Sequence, residues 1–147
     1  MARARGTRAK TPRSPAAQAR RRKATPIVLI VEDEPDLRVL AESNIADAGY
    51  KTLSAANARE ALVLVEENQN IVLLFTDINI PDGSNGMDGL ELARRAIEAR
   101  PGLRVIYTTG GALTDGMTSL FVENSIFLKK PYTRDRLIQA VKDAGGP

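Results

Sequence analysis

Four apolar runs each end on residues able to do chemistry. Glu32, Asp33 and Glu34 follow the run 26–31, and Asp77 closes the run 71–76. Thr109 follows 103–108, and Lys130 follows 125–129. Carboxylates crowded together repel one another, and a hard divalent cation with oxygen ligands relieves that repulsion, Mg²⁺ being the natural candidate. One carboxylate of such a set can then act as a nucleophile toward phosphorus. The amine of Lys130 would offset charge on a phosphoryl group, and the Thr109 hydroxyl could hydrogen-bond one of its oxygens. Asp77 is the most informative of these residues. It ends a strongly apolar run, and burying a charge without a partner is costly.

Composition narrows the chemistry further. The 147 residues contain no cysteine and no histidine. That removes disulfides, thiolate metal sites, imidazole general bases and a phosphohistidine within this chain. No apolar run reaches the length of a membrane span, so no membrane association is expected. The net charge of +3 is unevenly spread: residues 1–25 carry nine basic side chains and no acid. The remainder carries twelve basic against eighteen acidic groups. A segment of Ala, Arg, Thr, Ser and Pro cannot bury enough surface to offset chain entropy, so 1–25 is expected to be a disordered basic tail. Such a tail attracts polyanions only nonspecifically, and no other nucleic-acid contact is expected. The folded domain is placed at 26–147.

Those chain positions require elements to hold them. The run 26–31 has the β-branched character of a strand buried on both faces. Pro35 suits the first turn of a helix whose repeating apolar positions are Leu37, Leu40, Ala41, Ile45 and Ala48, with Gly49 placed to stop it. A strand is expected over 50–54, and a helix capped by Asn57 and Glu60 should run to about Glu67. After the strand 71–76 and a turn-rich loop at 81–86, Asp88 and Glu91 open a helix with Leu90, Ala93 and Ile97 inward. A strand at 103–108 precedes a weakly encoded helix over 112–122, interrupted by Gly116. The strand 125–129 and a helix capped by Thr133, with Leu137, Ile138, Val141 and Ala144 inward, complete the pattern. Strands alternating with helices through short connections give an α/β fold with a parallel sheet, and ligands in such folds gather at the carboxyl ends of the strands.

The order and spacing of several short motifs then matter together. Val31-Glu-Asp-Glu34, Thr76-Asp-Ile-Asn79 with Pro81, Met87-Asp-Gly-Leu-Glu-Leu92, Thr109-Gly110 and Lys129-Lys-Pro-Tyr132 occur in sequence. In this the chain resembles the receiver domain of bacterial two-component response regulators, of the chemotaxis-regulator kind. The resemblance implies a flavodoxin-like, doubly wound five-stranded parallel sheet of order 2-1-3-4-5 with helices on both faces. It implies Asp77 as phosphoacceptor, with Mg²⁺ held by Glu32, Asp33, Asp77 and the backbone carbonyl of Asn79. It also implies Thr109 as a switch hydroxyl with Phe127 as its aromatic partner, and Lys130 beside the phosphoryl group. Pro131 would hold the Lys130 loop through a cis bond.

Function follows as an expectation: a single-domain, cytoplasmic phosphoacceptor in a phosphorelay. Its donor would be a sensor histidine kinase or a histidine phosphotransfer protein, and its output a downstream protein target. It would not be an enzyme in the ordinary sense, although Mg²⁺-assisted self-phosphorylation and autodephosphorylation are expected. Thr109-Gly110 with Lys130-Pro131-Tyr132 is similar to a subclass of stand-alone receivers marked by Phe-Ala-Thr-Gly-Tyr. Here that stretch reads Tyr107-Thr108-Thr109-Gly110-Gly111.

Other readings compete. A Mg²⁺-dependent aspartyl-phosphate hydrolase would carry a second aspartate two residues after the nucleophile, where this chain has Asn79. A receiver-like interaction module would never be phosphorylated. Among individual residues, Asp82 reads as turn chemistry, Asp88 as a helix cap, Glu34 as a cap or solvated charge, and Lys129 as solvent-facing.

Overall fold

A computed structural model describes residues 25–81 and 87–145. The basic tail up to residue 24 and the loop residues 82–86, Asp82 among them, lie outside the described residues. The described elements run β1 (Ile27–Val31), α1 (Pro35–Asp47), β2 (Lys51–Ala55), α2 (Ala58–Glu67), β3 (Ile71–Asp77), α3 (Gly89–Ala99), β4 (Arg104–Thr109), α4 (Asp115–Thr118), β5 (Ile126–Lys129) and α5 (Arg134–Asp143). The five strands form one parallel sheet in the order β2-β1-β3-β4-β5. The order reverses between β1 and β3, which opens a crevice at their carboxyl ends.

Successive side chains of a strand point to opposite faces, so a continuous apolar run serves two cores. Leu29, Leu74, Val105 and Tyr107 pack with Ala58, Ala61, Val65, Leu92, Ala93 and Ala96 from α2 and α3. Val28, Ile30, Leu73, Phe75, Ile106 and Leu128 pack on the other face with Ala41, Ile45, Leu137, Ala140 and Val141 from α1 and α5. Three helices carry the expected side-chain caps. Asn57 accepts from the Glu60 amide at 2.9 Å, Asp88 from Glu91 at 3.0 Å and Thr133 from Arg136 at 3.1 Å. Each satisfies a helix-end donor that has no partner within its own helix.

One expectation needs correction. The apolar stripe of α1 is not wholly inward. Ala41 and Ile45 are buried, but Leu37 and Leu40 are 41% and 57% exposed, and Ala48 is exposed as well. Helical spacing identifies a stripe without saying which edge of it a neighbour covers, and here only the line through Ala41 and Ile45 faces the core. Of the two readings of Glu34, the solvated charge holds: it occupies the N-cap position of α1, but its exposed side chain makes no capping hydrogen bond. The weakness expected over 112–122 is marked: α4 has four residues and none is buried.

Candidate functional site

Parallel register brings the chemistry-bearing residues to one end of the sheet. Val31 pairs with Thr76, Asp77 with Thr108, and Thr109 with Lys129. The residues at and just beyond those positions therefore share one rim. Glu32 and Asp77 are both buried, whereas Asp33 is exposed. One carboxylate oxygen from each of Glu32, Asp33 and Asp77 lies within 4.8 Å of the others. Three such oxygens fit a hard divalent cation, which prefers carboxylate and carbonyl ligands.

Lys130 closes this pocket from β5. Its Nζ donates to Asp77 Oδ2 at 2.7 Å and to Glu32 Oε1 at 2.8 Å, linking residues 53 and 98 positions away in sequence. Burial by itself would lower the Lys130 pKa. The hydrogen bonds and charges of Asp77 and Glu32 outweigh it and hold the ammonium above the ordinary lysine value. The other oxygens of the two carboxylates are also engaged: Glu32 Oε2 accepts from the Glu34 amide at 3.1 Å, and Asp77 Oδ1 from the Asn79 amide at 3.0 Å. The Lys130–Pro131 peptide bond is cis, as the resemblance implies, and Lys129 is exposed, as strand alternation requires.

Thr109 ends β4 fully buried and belongs to the same rim through Asn79. Its Oγ1 accepts from Asn79 Nδ2 at 2.8 Å and from the Gly111 amide at 3.1 Å. Phe127 is half-buried on β5 and lies 6.2 Å from Phe121, ring centroid to ring centroid. Phe121 in turn stacks on Tyr107 at 4.3 Å, and the Tyr107 hydroxyl accepts from the Val122 amide at 3.1 Å.

Two supporting residues, and a side-chain contact of a third, escape sequence reasoning. Gly89 opens α3 directly against the Asp77 backbone, where a Cβ would fall 2.1 Å from the Asp77 carbonyl oxygen. The Met-Asp-Gly motif contains this glycine but gives no hint of what it touches. Arg38, one turn into α1, donates to the Glu32 carbonyl at 2.8 Å and so holds the acidic turn from behind. Asn79 contributes its side chain to Thr109, a contact made across 30 residues.

With this geometry in place, comparison with known proteins is direct. Residues 28–142 match the family described as the response regulator receiver domain. The chain is 34% identical over 117 residues to sporulation initiation phosphotransferase F of Bacillus subtilis, covering 78% of this chain and 90% of that protein. It is also 34% identical over 123 residues to the C4-dicarboxylate transport transcriptional regulatory protein DctD of Rhizobium meliloti. That match covers 82% of this chain but 25% of DctD, and several other curated relatives are likewise spanned only to about a quarter of their length. Among solved structures, a response regulator receiver protein from Sinorhizobium medicae superposes with a TM-score of 0.74 at 30% identity, covering 83% of this chain and 95% of that one.

Proposed function

The chain belongs to the response regulator receiver family, and from that premise we propose that Asp77 accepts a phosphoryl group in a two-component phosphorelay. The observation that carries this reading is the Asp77 carboxylate, buried at the end of β3 yet joined at 2.7 Å to Lys130 and facing two further acids. A structural ion pair would need one acid, whereas three acids around one lysine leave excess negative charge that a bound cation would balance.

In the transfer, an Asp77 carboxylate oxygen forms a bond to phosphorus. The phosphorus–nitrogen bond of a donor phosphohistidine breaks, and its electron pair leaves with the imidazole, which takes up a proton. The donor histidine must lie outside these 147 residues, which contain none. Lys130 offsets charge on the transferring group as a point cation, and such positioning and electrostatics supply most of the catalysis in phosphoryl transfer. Glu32, Asp33, Asp77 and the Asn79 carbonyl would hold Mg²⁺, which supplies further neutralisation of phosphoryl charge. The Thr109 hydroxyl donates to a phosphoryl oxygen once one is present, and Phe127 follows it inward. Hydrolysis of the mixed anhydride ends the signal.

A sensor histidine kinase or a histidine phosphotransfer protein would be the donor, in the cytoplasm. Among the described residues no helix is long and apolar enough to cross a membrane. Leu37, Leu40, Gly110, Pro131 and Tyr132 border Lys130 in an open groove of about 450 Å³, an apolar approach suited to a donor protein. The phosphorylated form then shifts population toward a state that binds a downstream protein.

The test is incubation of the chain with Mg²⁺ and acetyl phosphate, followed by intact-mass measurement. One base-labile phosphoryl group is expected, absent from Asp77→Asn and strongly reduced when the cation is chelated. A chain that stays unmodified with both acetyl phosphate and purified phosphohistidine donors would overturn the reading.

A further inference from the structure

Asn79 makes two hydrogen bonds that point in different directions along the same rim. Its backbone N–H donates to Asp77 Oδ1 at 3.0 Å, and its side-chain Nδ2 donates to Thr109 Oγ1 at 2.8 Å. The Gly111 amide fills the second acceptor position of the same hydroxyl at 3.1 Å. A hydroxyl offers two acceptor lone pairs and one donor. Both lone pairs of Thr109 are thus taken by N–H groups, one of them carried by the residue that also reads the Asp77 carboxylate. Thr109 itself is fully buried, so its oxygen has no solvent to exchange these partners with.

We propose that the Asn79 side chain is a positioning residue that holds the Thr109 hydroxyl in its unphosphorylated arrangement and releases it when Asp77 is modified. This goes beyond the metal role of the Asn79 carbonyl, and it rests on the reading of Asp77 as phosphoacceptor. Converting the Asp77 carboxylate to an acyl phosphate removes negative charge from the group to which the Asn79 amide donates, and introduces phosphoryl oxygens that compete for the Thr109 O–H. Asn79 is exposed, so water can take up its Nδ2 donors once Thr109 leaves. Release therefore strands no buried polar group, and the hold is worth only a net neutral hydrogen bond. A weak hold suits a switch, because a strong one would block the response.

The hold can be read before any phosphoryl group is added. In the full ¹⁵N-labelled chain the Gly111 amide, which donates to Thr109 Oγ1, reports where that oxygen sits. Wild type with and without Mg²⁺ and acetyl phosphate supplies the two end positions of its resonance. In unphosphorylated Asn79→Ala the resonance should move toward the phosphorylated position, a rise of about three- to tenfold in the ratio of released to held hydroxyl. Asn79→Gln keeps an amide donor on a longer arm and should fall between the two.

In the T109V background, where there is no hydroxyl to hold, Asn79→Ala should leave the Gly111 resonance where T109V alone puts it. An unchanged Gly111 resonance in Asn79→Ala would overturn the proposal. So would an equal displacement by Asn79→Ala in both Thr109 backgrounds, since the residue would then act without the hydroxyl. A wild-type chain that takes no phosphoryl group would overturn the functional reading and the release step with it. The hold on Thr109 would still be decided by the unphosphorylated variants.

Discussion

Two of the strand ends that feed the pocket, those of β3 and β4, are built in opposite ways. Beyond β3, Asp77 is locked. Gly89 lies against its carbonyl, the Gly89 amide donates to the Ile78 carbonyl at 2.8 Å, and the Ile78 amide donates to the Thr108 carbonyl at 2.8 Å. The helix that follows, α3, buries five residues. Beyond β4, Thr109 leads into a stretch in which residues 110–116 are all exposed and α4 buries nothing. That stretch is held mainly at its far end, by the Phe121 stack and the Tyr107 hydroxyl. The Asp77 carboxylate thus sits on a rigid frame, while the Thr109 hydroxyl opens onto an exposed stretch whose short helix buries nothing. Local stability of this uneven kind is what a conformational response requires.

Breaking the rigid end should have the largest effect. In Gly89→Ala the new methyl group meets backbone that cannot yield cheaply, and a loss of about 3 kcal/mol is expected in urea unfolding. Next comes the tie between the strand tips. Lys130→Met should cost about 1 to 2 kcal/mol at neutral pH, with Mg²⁺ recovering part of it by occupying the carboxylates left without a partner. Because the folded-state Lys130 pKa is raised, its stabilisation is complete below the ordinary lysine value. It disappears as pH rises through the higher folded value. The difference between wild type and Lys130→Met in urea unfolding should accordingly shrink only in strongly alkaline solution.

Smaller changes sharpen the contrast. Asp88→Ala, which removes the α3 cap, should cost about 1 kcal/mol in urea unfolding. The matching change in α4, Thr114→Ala, removes a cap on the Met117 amide. It should barely alter global unfolding while speeding hydrogen exchange across 115–122. Smallest of all is Gly116→Ala. The nearest atom to a new Cβ there is Thr114 Oγ1 at 3.9 Å, so stability should stay within about 0.5 kcal/mol of wild type or rise slightly. Equal losses from the Gly89 and Gly116 variants would erase the distinction between the two ends.

The strands and the cap at the rigid end were readable from sequence, the contacts that lock Asp77 were not, and the loose end was readable only in part. Continuous apolar runs gave β1 and β3, because a strand buried on both faces is apolar along its length, and acids directly follow the first and close the second. Asp88, Asn57 and Thr133 were recognisable as caps because capping is local. Leu37 and Leu40 misled, since helical period does not say where covering neighbours stop. The Asn79–Thr109 bond, the Gly89 contact with Asp77 and the Arg38 hold on the acidic turn left no trace in spacing. Each depends on how separate elements dock. The weak coding of α4 was visible, but its attachment through Tyr107 and Phe121 was not, because a buried tyrosine in a strand reads simply as core.

The central claim is that this rim of the sheet delivers a phosphoryl group to one particular carboxylate. Borohydride reduction of the acetyl phosphate-treated protein, followed by peptide sequencing, locates an acyl phosphate as the homoserine it becomes. Homoserine at position 77 alone, dependent on Mg²⁺, is the expected result. Homoserine at position 33, or the same yield from Asp77→Asn, would contradict the account.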